Sequence, residues 1–350
     1  MHDHPGVTIA LDATYSIGDD LSGIGVYSRE LAARLTQSHP DARFLYCYRP
    51  HRFLRSWRER LLPNARRRLL AEPVGPRSAT IFHGLNQRLP AMRFRRTVVT
   101  FHDLFVLSGE YSTPEFRARL AAQARDAAAR ADLILAISEF TKSQLIGLLK
   151  VEPRRVRVVY HGCGGVASAA PRDCPREPVV LHVGAIQQRK NIARLVEAFE
   201  SLPSDWKLVL AGSQGYGAQA ILARIRNSPA ADRIVLTGYV TAGQLADWYA
   251  RASIFAFPSL DEGFGMPVLE AMTAGLPVIT SNRSALPEVA GDAALLVDPE
   301  NTEALREALA RLATDEGLRA KLICSGRART QLFSWEKAAL ETWEAYRSLL

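Results

Sequence analysis

Short apolar runs alternate with amphipathic helical patterns along most of this 350-residue chain. Such alternation is typical of βαβ units, in which parallel strands form a sheet that helices cover on both faces. A first series predicts strands at 7–11, 43–48, 80–82, 97–101, 133–137 and 156–160. A second series predicts strands at 179–183, 207–211, 234–237, 254–257, 277–280 and 294–297. The sequence therefore predicts an α/β protein with two successive, doubly wound, Rossmann-like domains.

The domain boundary is predicted near the middle of the chain, where residues 162–178 are rich in glycine, proline and small side chains. This composition is typical of a linker. We predict an N-terminal domain at 1–165, a linker at 166–178 and a C-terminal domain at 179–332. The end of the chain, 333–350, has the pattern of an amphipathic helix, with Ser334 as its N-cap.

Two glutamates, Glu262 and Glu270, enclose a glycine-containing turn between an apolar run and a helical pattern. Open α/β sheets bind ligands at such strand-to-helix turns. Pro267 suits a first helical turn, and the unpaired amides of that turn favour an anion such as phosphate. An acid on each side of an anion-binding turn indicates a ligand that is part phosphate and part polyol. A nucleotide sugar combines both.

A basic pair, Arg189 and Lys190, follows the first predicted strand of the second series, which ends at Gly184. Two cations beside the start of a helix can neutralise a diphosphate, Arg through paired hydrogen bonds and Lys as a point charge. Basic pairs are most often solvated surface, but this one follows the strand at which a ligand crevice forms. We therefore predict that the pair contacts phosphate.

These motifs together resemble the nucleotide-sugar domain of the retaining glycosyltransferases of family four, and in particular bacterial polysaccharide and O-antigen mannosyltransferases. They are Arg189-Lys190-Asn191, Glu262-Gly-Phe-Gly-Met-Pro-Val-Leu-Glu270 and the run 286–299. The resemblance covers essentially the whole chain and is strongest from 179 to 300. It implies the GT-B architecture, in which two Rossmann-like domains face a central cleft and the C-terminal helix packs back on the N-terminal domain.

The resemblance implies roles for the second half of the chain. Glu262 would bind hydroxyls of the donor sugar, Glu270 would bind the ribose, and Arg189 with Lys190 would stabilise the leaving diphosphate. Some relatives carry Arg directly after the strand-end glycine, where this chain has Ala185, so the cationic contact depends more on the basic pair. The implied donor-binding residues of this half are Gly184, Gly238, Tyr239, Val240, Phe264, Gly265, Met266, Pro267, Val268 and Glu270.

In the first half, Gly23 and Gly25 resemble the family's glycine-rich loop, whose backbone faces the donor phosphates. A dinucleotide-binding fingerprint is the competing interpretation, but Ser28 replaces its third glycine and the loop before it is too long for the tight turn. His102 resembles the histidine that the family places near the donor sugar, although a lone histidine at a strand end is more often structural. Asp103 would contact the donor, orient that histidine or cap a helix.

Three residues match looser patterns on the acceptor side. His83 and Asn86 follow another strand of the first half, where a simple turn explains them equally well. Ser138 also matches, but it is first of all a suitable N-cap. His161 is expected to be structural.

The paired carboxylates also invite comparison with glycosidases, in which two acids flank a glycosidic bond. Here both acids belong to one strand, turn and helix beside an anion site, which suits polyol binding better than attack from two faces of a sugar. The resemblance implies front-side transfer with retention, in which the leaving phosphate takes the acceptor proton. It implies no cofactor and no metal, and the catalytic residues would be His102, Glu262, Arg189 and Lys190.

The expected function is hexose transfer, with GDP-mannose as donor on the resemblance of the frame 262–272, and with a saccharide or lipid-linked saccharide as acceptor. A UDP-hexose or deoxysugar nucleotide as donor stays open, because the base would be contacted mainly by main chain. So do a GT-B sugar-nucleotide epimerase and, from another class, a non-catalytic partner in a polysaccharide assembly complex.

The net charge of +8 is concentrated in the first half, since residues 1–170 carry 25 Lys and Arg against 15 Asp and Glu. Much of the excess lies in one basic segment, 52–68, which contains Arg52, Arg55, Arg58, Arg60, Arg66, Arg67 and Arg68 between apolar side chains. The segment either contacts an anionic membrane or is a solvated helix whose apolar side packs on its own domain. No nucleic-acid-binding motif accompanies it, so nucleic acid is not expected.

Other features indicate the compartment. No apolar run reaches the roughly 18 residues that span a membrane, and the first residues lack the pattern of a signal peptide. The four cysteines are scattered, without the spacing of a zinc site or a disulfide framework. We expect a cytoplasmic protein, peripheral at the inner face of the plasma membrane if the basic segment binds lipid.

Overall fold

The computed structural model describes residues 6–18, 21–165 and 175–350, and they divide into two compact units. Unit 1 comprises Met1–Ser108, Pro114–Gly162 and Trp335–Leu350. Unit 2 comprises Gly109–Thr113 and Cys163–Ser334. Of the predicted linker, residues 166–174 lie outside the described residues. Both units are built on a parallel sheet flanked by helices, which confirms the predicted α/β class.

The described part of unit 1 contains a seven-stranded parallel sheet in the order β3-β2-β1-β4-β5-β6-β7. Its strands are β1 (Thr8–Asp12), β2 (Arg43–Tyr48), β3 (Ala65–Leu69), β4 (Ile81–Gly84), β5 (Thr97–Phe101), β6 (Leu133–Ala136) and β7 (Val156–Val158). The central strands β4 and β5 are buried along their whole length. Such strands appear in a sequence as mostly apolar runs, which is why the prediction found them.

In the described part of unit 1, five helices lie between these strands: α1 (Gly23–Ser38), α2 (Pro50–Phe53), α3 (Phe105–Ser108), α4 (Pro114–Arg130) and α5 (Glu139–Leu149). Helix α1 begins at the N-cap Ser22, whose side chain accepts a hydrogen bond from the Gly25 amide. The strand order reverses between β1 and β4, so the ends of these two strands mark the switch point of this sheet.

The basic segment 52–68 is not one amphipathic helix, and that prediction is wrong. It continues α2 into a 3-10 helix, Leu54–Arg58, and ends in the edge strand β3. The side chains of Leu54 and Trp57 are 80% and 66% exposed, so they do not pack inward. The helical interpretation failed because β3 carries three consecutive arginines at a sheet edge, where charged side chains are tolerated and discourage pairing with another chain.

The described part of unit 2 contains a six-stranded parallel sheet in the order β10-β9-β8-β11-β12-β13. Its strands are β8 (Val179–Val183), β9 (Lys207–Ala211), β10 (Ile234–Gly238), β11 (Ile254–Phe257), β12 (Val278–Ser281) and β13 (Leu295–Val297). The chain moves outward from β8 to one edge and then returns to add β11 on its other side. The switch point therefore lies between the carboxyl ends of β8 and β11.

The helices of unit 2 cover both faces of this sheet. They are α6 (Ile192–Phe199), α7 (Ala218–Arg226), α8 (Ala242–Arg251), α9 (Met266–Thr273), α10 (Leu286–Ala290), α11 (Thr302–Thr314) and α12 (Glu316–Thr330). Apolar side chains of α6, α7 and α11 form one core with strands β8, β9 and β11. This core fixes the strand ends that carry the candidate site.

The last helix, α13 (Trp335–Arg347), belongs to unit 1. The hydroxyl of its Tyr346 lies 2.6 Å from Nδ1 of His83 in β4. The ring of Trp343 stacks on His39 with a centroid distance of 3.8 Å. The prediction that the C-terminal helix packs back on the N-terminal domain is therefore confirmed. Among the described residues, no helix is both long and apolar enough to cross a membrane.

Candidate functional site

The turn after β8 brings the basic pair to the switch point of unit 2. Gly184 ends the strand with φ +147°, and a Cβ atom at this position would lie 3.3 Å from Cε of Lys190. The chain then forms a 3-10 turn, Gln188–Lys190, which ends at Asn191 with φ +58°. The Asn191 side chain donates hydrogen bonds to the carbonyls of Pro258 and Pro299, at 3.1 and 2.6 Å. This residue, to which the motif alone assigned no role, fixes the turn against the end of β11.

Glu262 accepts contacts from both cations of the basic pair. Lys190 Nζ lies 2.5 Å from Oε1, and an Arg189 guanidinium nitrogen lies 3.1 Å from Oε2. All three side chains are about nine-tenths buried. The sequence predicted separate contacts of these residues with sugar and phosphate; in the structure they form one ion cluster.

The main chain around Glu262 holds this cluster in place. The Leu260 amide donates to the Arg189 carbonyl at 2.8 Å, and the Arg189 guanidinium donates to the carbonyl of Asp261. The Glu262 amide donates to Oγ of Ser284 at 3.1 Å. Ser284 is a supporting residue that the sequence analysis did not identify.

The charge state of Glu262 follows from these contacts. Burial by itself would raise the pKa of this carboxyl, but the charges of Arg189 and Lys190 and the Lys190 hydrogen bond lower it to about 2. The group is therefore ionised at any working pH. Lys190 also lies over the Phe257 ring, 4.5 Å from its centroid, so its ammonium group is held from two sides.

The turn between the two glutamates has a conformation that only glycine adopts readily. Gly265 is the N-cap of α9 with φ +100°, and a Cβ atom there would lie 2.6 Å from Leu286 Cδ2. Pro267 has no N–H, and the Val268 amide is already bonded to the Gly265 carbonyl at 2.9 Å. Within the described chain, the amides of Gly265 and Met266 have no hydrogen-bond partner. These two amides, and not the whole run to Val268, are available to an anion.

The side chains of Phe264 and Val268 do not face a ligand. Both are buried, and Phe264 makes an edge-to-face contact with Phe333 at a centroid distance of 5.8 Å. These apolar groups fill the core under α9, so the predicted donor contact of both residues stays a prediction about their main chain. A ligand contact of Phe264 would have to come from its main chain.

Glu270, on the next turn of α9, lies in a different environment from Glu262. The Tyr249 hydroxyl of α8 donates to its Oε2 at 2.8 Å. Burial raises the pKa of Glu270, and the hydrogen bond from Tyr249 partly opposes this rise. The two glutamates are therefore unequal, since one is held by two cations and the other by a neutral hydroxyl. Tyr249 has no signature in the sequence, because a tyrosine on the apolar side of a helix looks like any core residue.

The predicted base contact lies at the end of β10. Gly238 has φ +67°, and a Cβ atom there would meet no atom within 4 Å. The side chain of Tyr239 is 53% exposed, and Val240 is half-buried. These residues thus form an open surface beside the strand end, with space for a planar group.

In unit 1, His102 follows β5 and is buried. Its Nε2 lies 2.9 Å from the carbonyl of Leu85, and its ring meets Tyr27 edge to face at 4.7 Å. Burial lowers the pKa of His102 to about 4, despite the contact with Leu85, so the imidazole is neutral at pH 7. Asp103 is half-buried. Gly23 and Gly25 form the first turn of α1, where the structure has a helix start instead of the predicted loop.

The three residues that were predicted on the acceptor side have different surroundings in the structure. His83 is fully buried, and its ring nitrogens are bonded to Tyr346 and to Thr100 at 2.6 and 2.8 Å, so its role toward an acceptor stays a prediction. Ser138 is the N-cap of α5, as expected, and its side chain accepts a hydrogen bond from the Thr141 amide. Asn86 is buried, and its Oδ1 has no partner among the described residues.

The rings around His161 agree with the expected structural role. This residue is buried, and its ring lies against Tyr27 and stacks on Trp335, with centroid distances of 4.8 and 5.8 Å. Within the part of the chain that the structure describes, no three His, Cys, Asp or Glu side chains are grouped so that they could hold a metal ion.

Comparison with known proteins agrees with this geometry. "Glycosyl transferases group 1" matches residues 171–329, and "Glycosyltransferase Family 4" matches residues 21–163. The O-antigen chain mannosyltransferase B of Escherichia coli is 32% identical over 77% of this chain and 74% of its own length. The serotype-specific mannosyltransferase WbdA of Escherichia coli is 28% identical over 73% of this chain, which spans only 34% of that longer protein.

A solved structure shows the same fold. A sucrose-phosphate synthase from Thermosynechococcus elongatus superposes with a TM-score of 0.76 at 24% identity, over 98% of this chain and 99% of that one. Together with the two parallel sheets, this likeness gives the GT-B fold of glycosyltransferases. The agreement of the two family descriptions with the mannosyltransferase match then gives the family. The chain belongs to the family-four, group 1 glycosyltransferases.

Proposed function

We propose that the protein is a retaining hexosyltransferase that moves mannose from GDP-mannose to a saccharide or lipid-linked saccharide in the synthesis of a cell-surface polysaccharide. Two relatives that bear the name mannosyltransferase support the choice of sugar. The observation that carries the proposal is the buried cluster of Arg189, Lys190 and Glu262, whose glutamate lies three residues before Gly265 and the unpaired amides of Gly265 and Met266. It combines cations, amides and a carboxylate, as a sugar diphosphate requires.

The cluster would act mainly on the leaving group. Breaking the bond between sugar and diphosphate develops negative charge on the diphosphate and positive charge on the sugar ring. Arg189 and Lys190 place two positive charges at this position, and the amides of Gly265 and Met266 add their dipoles. Because these groups are fixed before the reaction, they stabilise the developing charge without reorganisation. Glu262 orients both cations and offers its remaining lone pairs to hydroxyls of the sugar.

The proton of the acceptor would go to the diphosphate itself. In this front-side route the acceptor oxygen attacks the anomeric carbon on the face from which the phosphate oxygen leaves, and that phosphate oxygen takes the proton. Configuration is then retained. Glu270 would bind the ribose, the surface of Gly238, Tyr239 and Val240 would adjoin the base, and His102 would contact the sugar as a neutral imidazole.

The test incubates the purified full chain with GDP-mannose, with or without octyl α-mannoside as acceptor. GDP release is expected only with both substrates, and proton NMR should show an α-linkage in the product, as in the donor. A β-linked product would overturn the mechanism. Epimerised sugar without acceptor would indicate an epimerase, and binding without turnover a non-catalytic partner. A thermal-shift series with UDP-sugars checks the donor, since a ligand that binds the native state raises the melting temperature.

Metal removal gives a separate prediction. In the proposed mechanism Arg189 and Lys190 provide the positive charge that a divalent cation supplies in other phosphoryl and glycosyl chemistry. Excess EDTA should therefore leave the rate of GDP release unchanged. A loss of rate that Mg²⁺ or Mn²⁺ restores would contradict this part of the proposal.

The surface around Leu54 and Trp57 supports a proposal about location. Both apolar side chains are exposed beside the exposed arginines Arg55, Arg58 and Arg60. Apolar groups among cations suit the headgroup region of an anionic bilayer, which would also present a lipid-linked acceptor. We propose that this surface attaches the protein to the inner face of the plasma membrane.

The double variant R55E/R58E should bind vesicles of phosphatidylglycerol and phosphatidylcholine at least tenfold more weakly. Each basic residue near an anionic surface contributes about 1 kcal/mol to attraction, and each reversal also adds repulsion. Co-sedimentation at low and high salt measures the effect. The control R226E reverses an exposed charge in unit 2 and should bind like the unsubstituted protein. Equal binding of both variants would refute the membrane surface.

A further inference from the structure

The contact between Tyr249 and Glu270 joins a fully buried hydroxyl to a partly exposed carboxylate. Tyr249 is held along its whole length in unit 2. Its carbonyl accepts a hydrogen bond from Arg176 at 2.6 Å, and its ring lies against Phe255 with a centroid distance of 6.0 Å. Its hydroxyl reaches Oε2 of Glu270 at 2.8 Å. A side chain fixed at its backbone and its ring delivers its hydroxyl to one point in space.

The contact leaves half of the carboxylate for a ligand. Oε2 is occupied, whereas Oε1 has no hydrogen bond or ion pair to any residue that the structure describes. Glu270 lies four residues after Met266, so the two share one face of α9, the helix that begins with the unpaired amides of Gly265 and Met266. An acceptor oxygen on that face suits a hydroxyl of the molecule whose phosphate the amides bind.

The electrostatics fix which group donates. Burial and the nearby Glu270 charge raise the pKa of Tyr249 well above its ordinary value, so its hydroxyl keeps its proton and donates at every working pH. Without that donor, the carboxylate would be desolvated with no compensating contact inside the protein, and it would be free to rotate. The hydroxyl therefore does two things: it supports the charge of Glu270 and it aims Oε1.

We propose that Tyr249 is a positioning residue that makes Glu270 discriminate ribose from deoxyribose in the bound nucleotide. The proposal rests on the proposed function, in which Glu270 meets the ribose. A carboxylate oxygen held at a fixed point gains a hydrogen bond from a correctly placed hydroxyl and loses it when that hydroxyl is absent. Discrimination thus depends on the fixed orientation of the carboxylate as well as on its presence. A tether that only joined α8 to α9 would have no such effect.

The experiment measures the dissociation constants of GDP and 2′-deoxy-GDP by isothermal titration calorimetry on the purified full chain. The unsubstituted protein should bind GDP about tenfold more tightly than 2′-deoxy-GDP, because GDP makes one more hydrogen bond to a charged group. In Tyr249→Phe this ratio should fall to about one, through weaker binding of GDP with binding of 2′-deoxy-GDP nearly unchanged. In turnover, KM for GDP-mannose should rise while kcat changes little.

Tyr46→Phe is the matched control. Tyr46 is also a buried tyrosine with one hydroxyl contact, to Thr36 at 2.9 Å in unit 1, and its loss should leave the ratio unchanged. Tyr249→Met supplies a second route if Tyr249→Phe does not fold, because methionine also fills the buried space without a hydroxyl donor and should lower the ratio in the same way. The double variant with Tyr249→Phe and Glu270→Gln should lose no more affinity for GDP than Glu270→Gln alone, since the tyrosine acts through the glutamate.

The outcomes are distinct. A folded Tyr249→Phe that keeps the full preference for GDP would overturn the positioning role and leave the proposed function intact. A parallel loss of affinity for both nucleotides would also overturn it, because that result describes a structural tether. Failure of the unsubstituted protein to bind GDP or UDP would instead overturn the proposed function, and the inference with it.

Discussion

Replacing Lys190 by alanine is expected to lower kcat by about 10²–10³-fold, the usual cost of removing one fixed group that stabilises developing negative charge. The Lys190 ammonium is buried between Glu262 and the ring of Phe257, so water cannot take over its role efficiently. Arg189 remains to neutralise Glu262, so the protein should stay folded. Initial rates of GDP release at saturating GDP-mannose measure the effect, and thermal melting confirms the fold.

Lys207→Ala is the matched control for this experiment. Lys207 is an exposed lysine of the same unit, at the start of β9, and lies at the opposite end of that strand from the switch point. Its removal should leave kcat unchanged. If Lys190→Ala turned over as fast as Lys207→Ala, the assignment of the diphosphate site would be wrong.

Gly265→Ala should have the second large effect, on stability as well as on binding. The new Cβ would lie 2.6 Å from Leu286 Cδ2, and φ of +100° is unfavourable for any side chain. Backbone strain and overpacking each cost about 1–3 kcal/mol, so we expect a loss of about 2–5 kcal/mol in the apparent free energy of unfolding. Urea denaturation measures the stability, and titration with GDP should show weaker binding, because the amides of Gly265 and Met266 must move.

The control for this substitution is Gly243→Ala in the first turn of α8. There the added Cβ meets no atom within 4 Å and φ is not positive, so alanine should be neutral or slightly stabilising. A Gly265→Ala protein as stable as Gly243→Ala would show that the turn can relax, and the argument from its geometry would fail.

The sequence predicts the strand framework well for a physical reason. Strands such as β5, β8 and β11 are almost wholly buried, so each appears as a mostly apolar run of the correct length. Strand β3 was missed because three consecutive arginines fill its centre, which leaves no apolar run. It is thus the strand of this fold that apolar periodicity describes least.

The candidate site was predicted in its members but not in its contacts. The motif around Glu262 and the pair Arg189 and Lys190 were both identified, yet their direct pairing joins residues 72 positions apart and has no signature in spacing. Tyr249 was missed for the same reason, since its contact with Glu270 depends on how α8 and α9 pack. The contact of His83 with Tyr346 also could not be predicted from the sequence, because Tyr346 lies on the last helix, far from His83 along the chain.

The pairing of Glu262 with two cations also bears on which anions the empty site attracts. Arg189 and Lys190 together carry two positive charges, and the ionised Glu262 cancels one of them. The cluster therefore has a net charge of about +1 and not +2, so it attracts a single phosphate less strongly than two free cations would. In the proposed function, two linked phosphates would meet the cations while hydroxyls of the sugar meet the carboxylate. Glu262, which at first resembles a competitor for the donor phosphates, would then disfavour simpler anions.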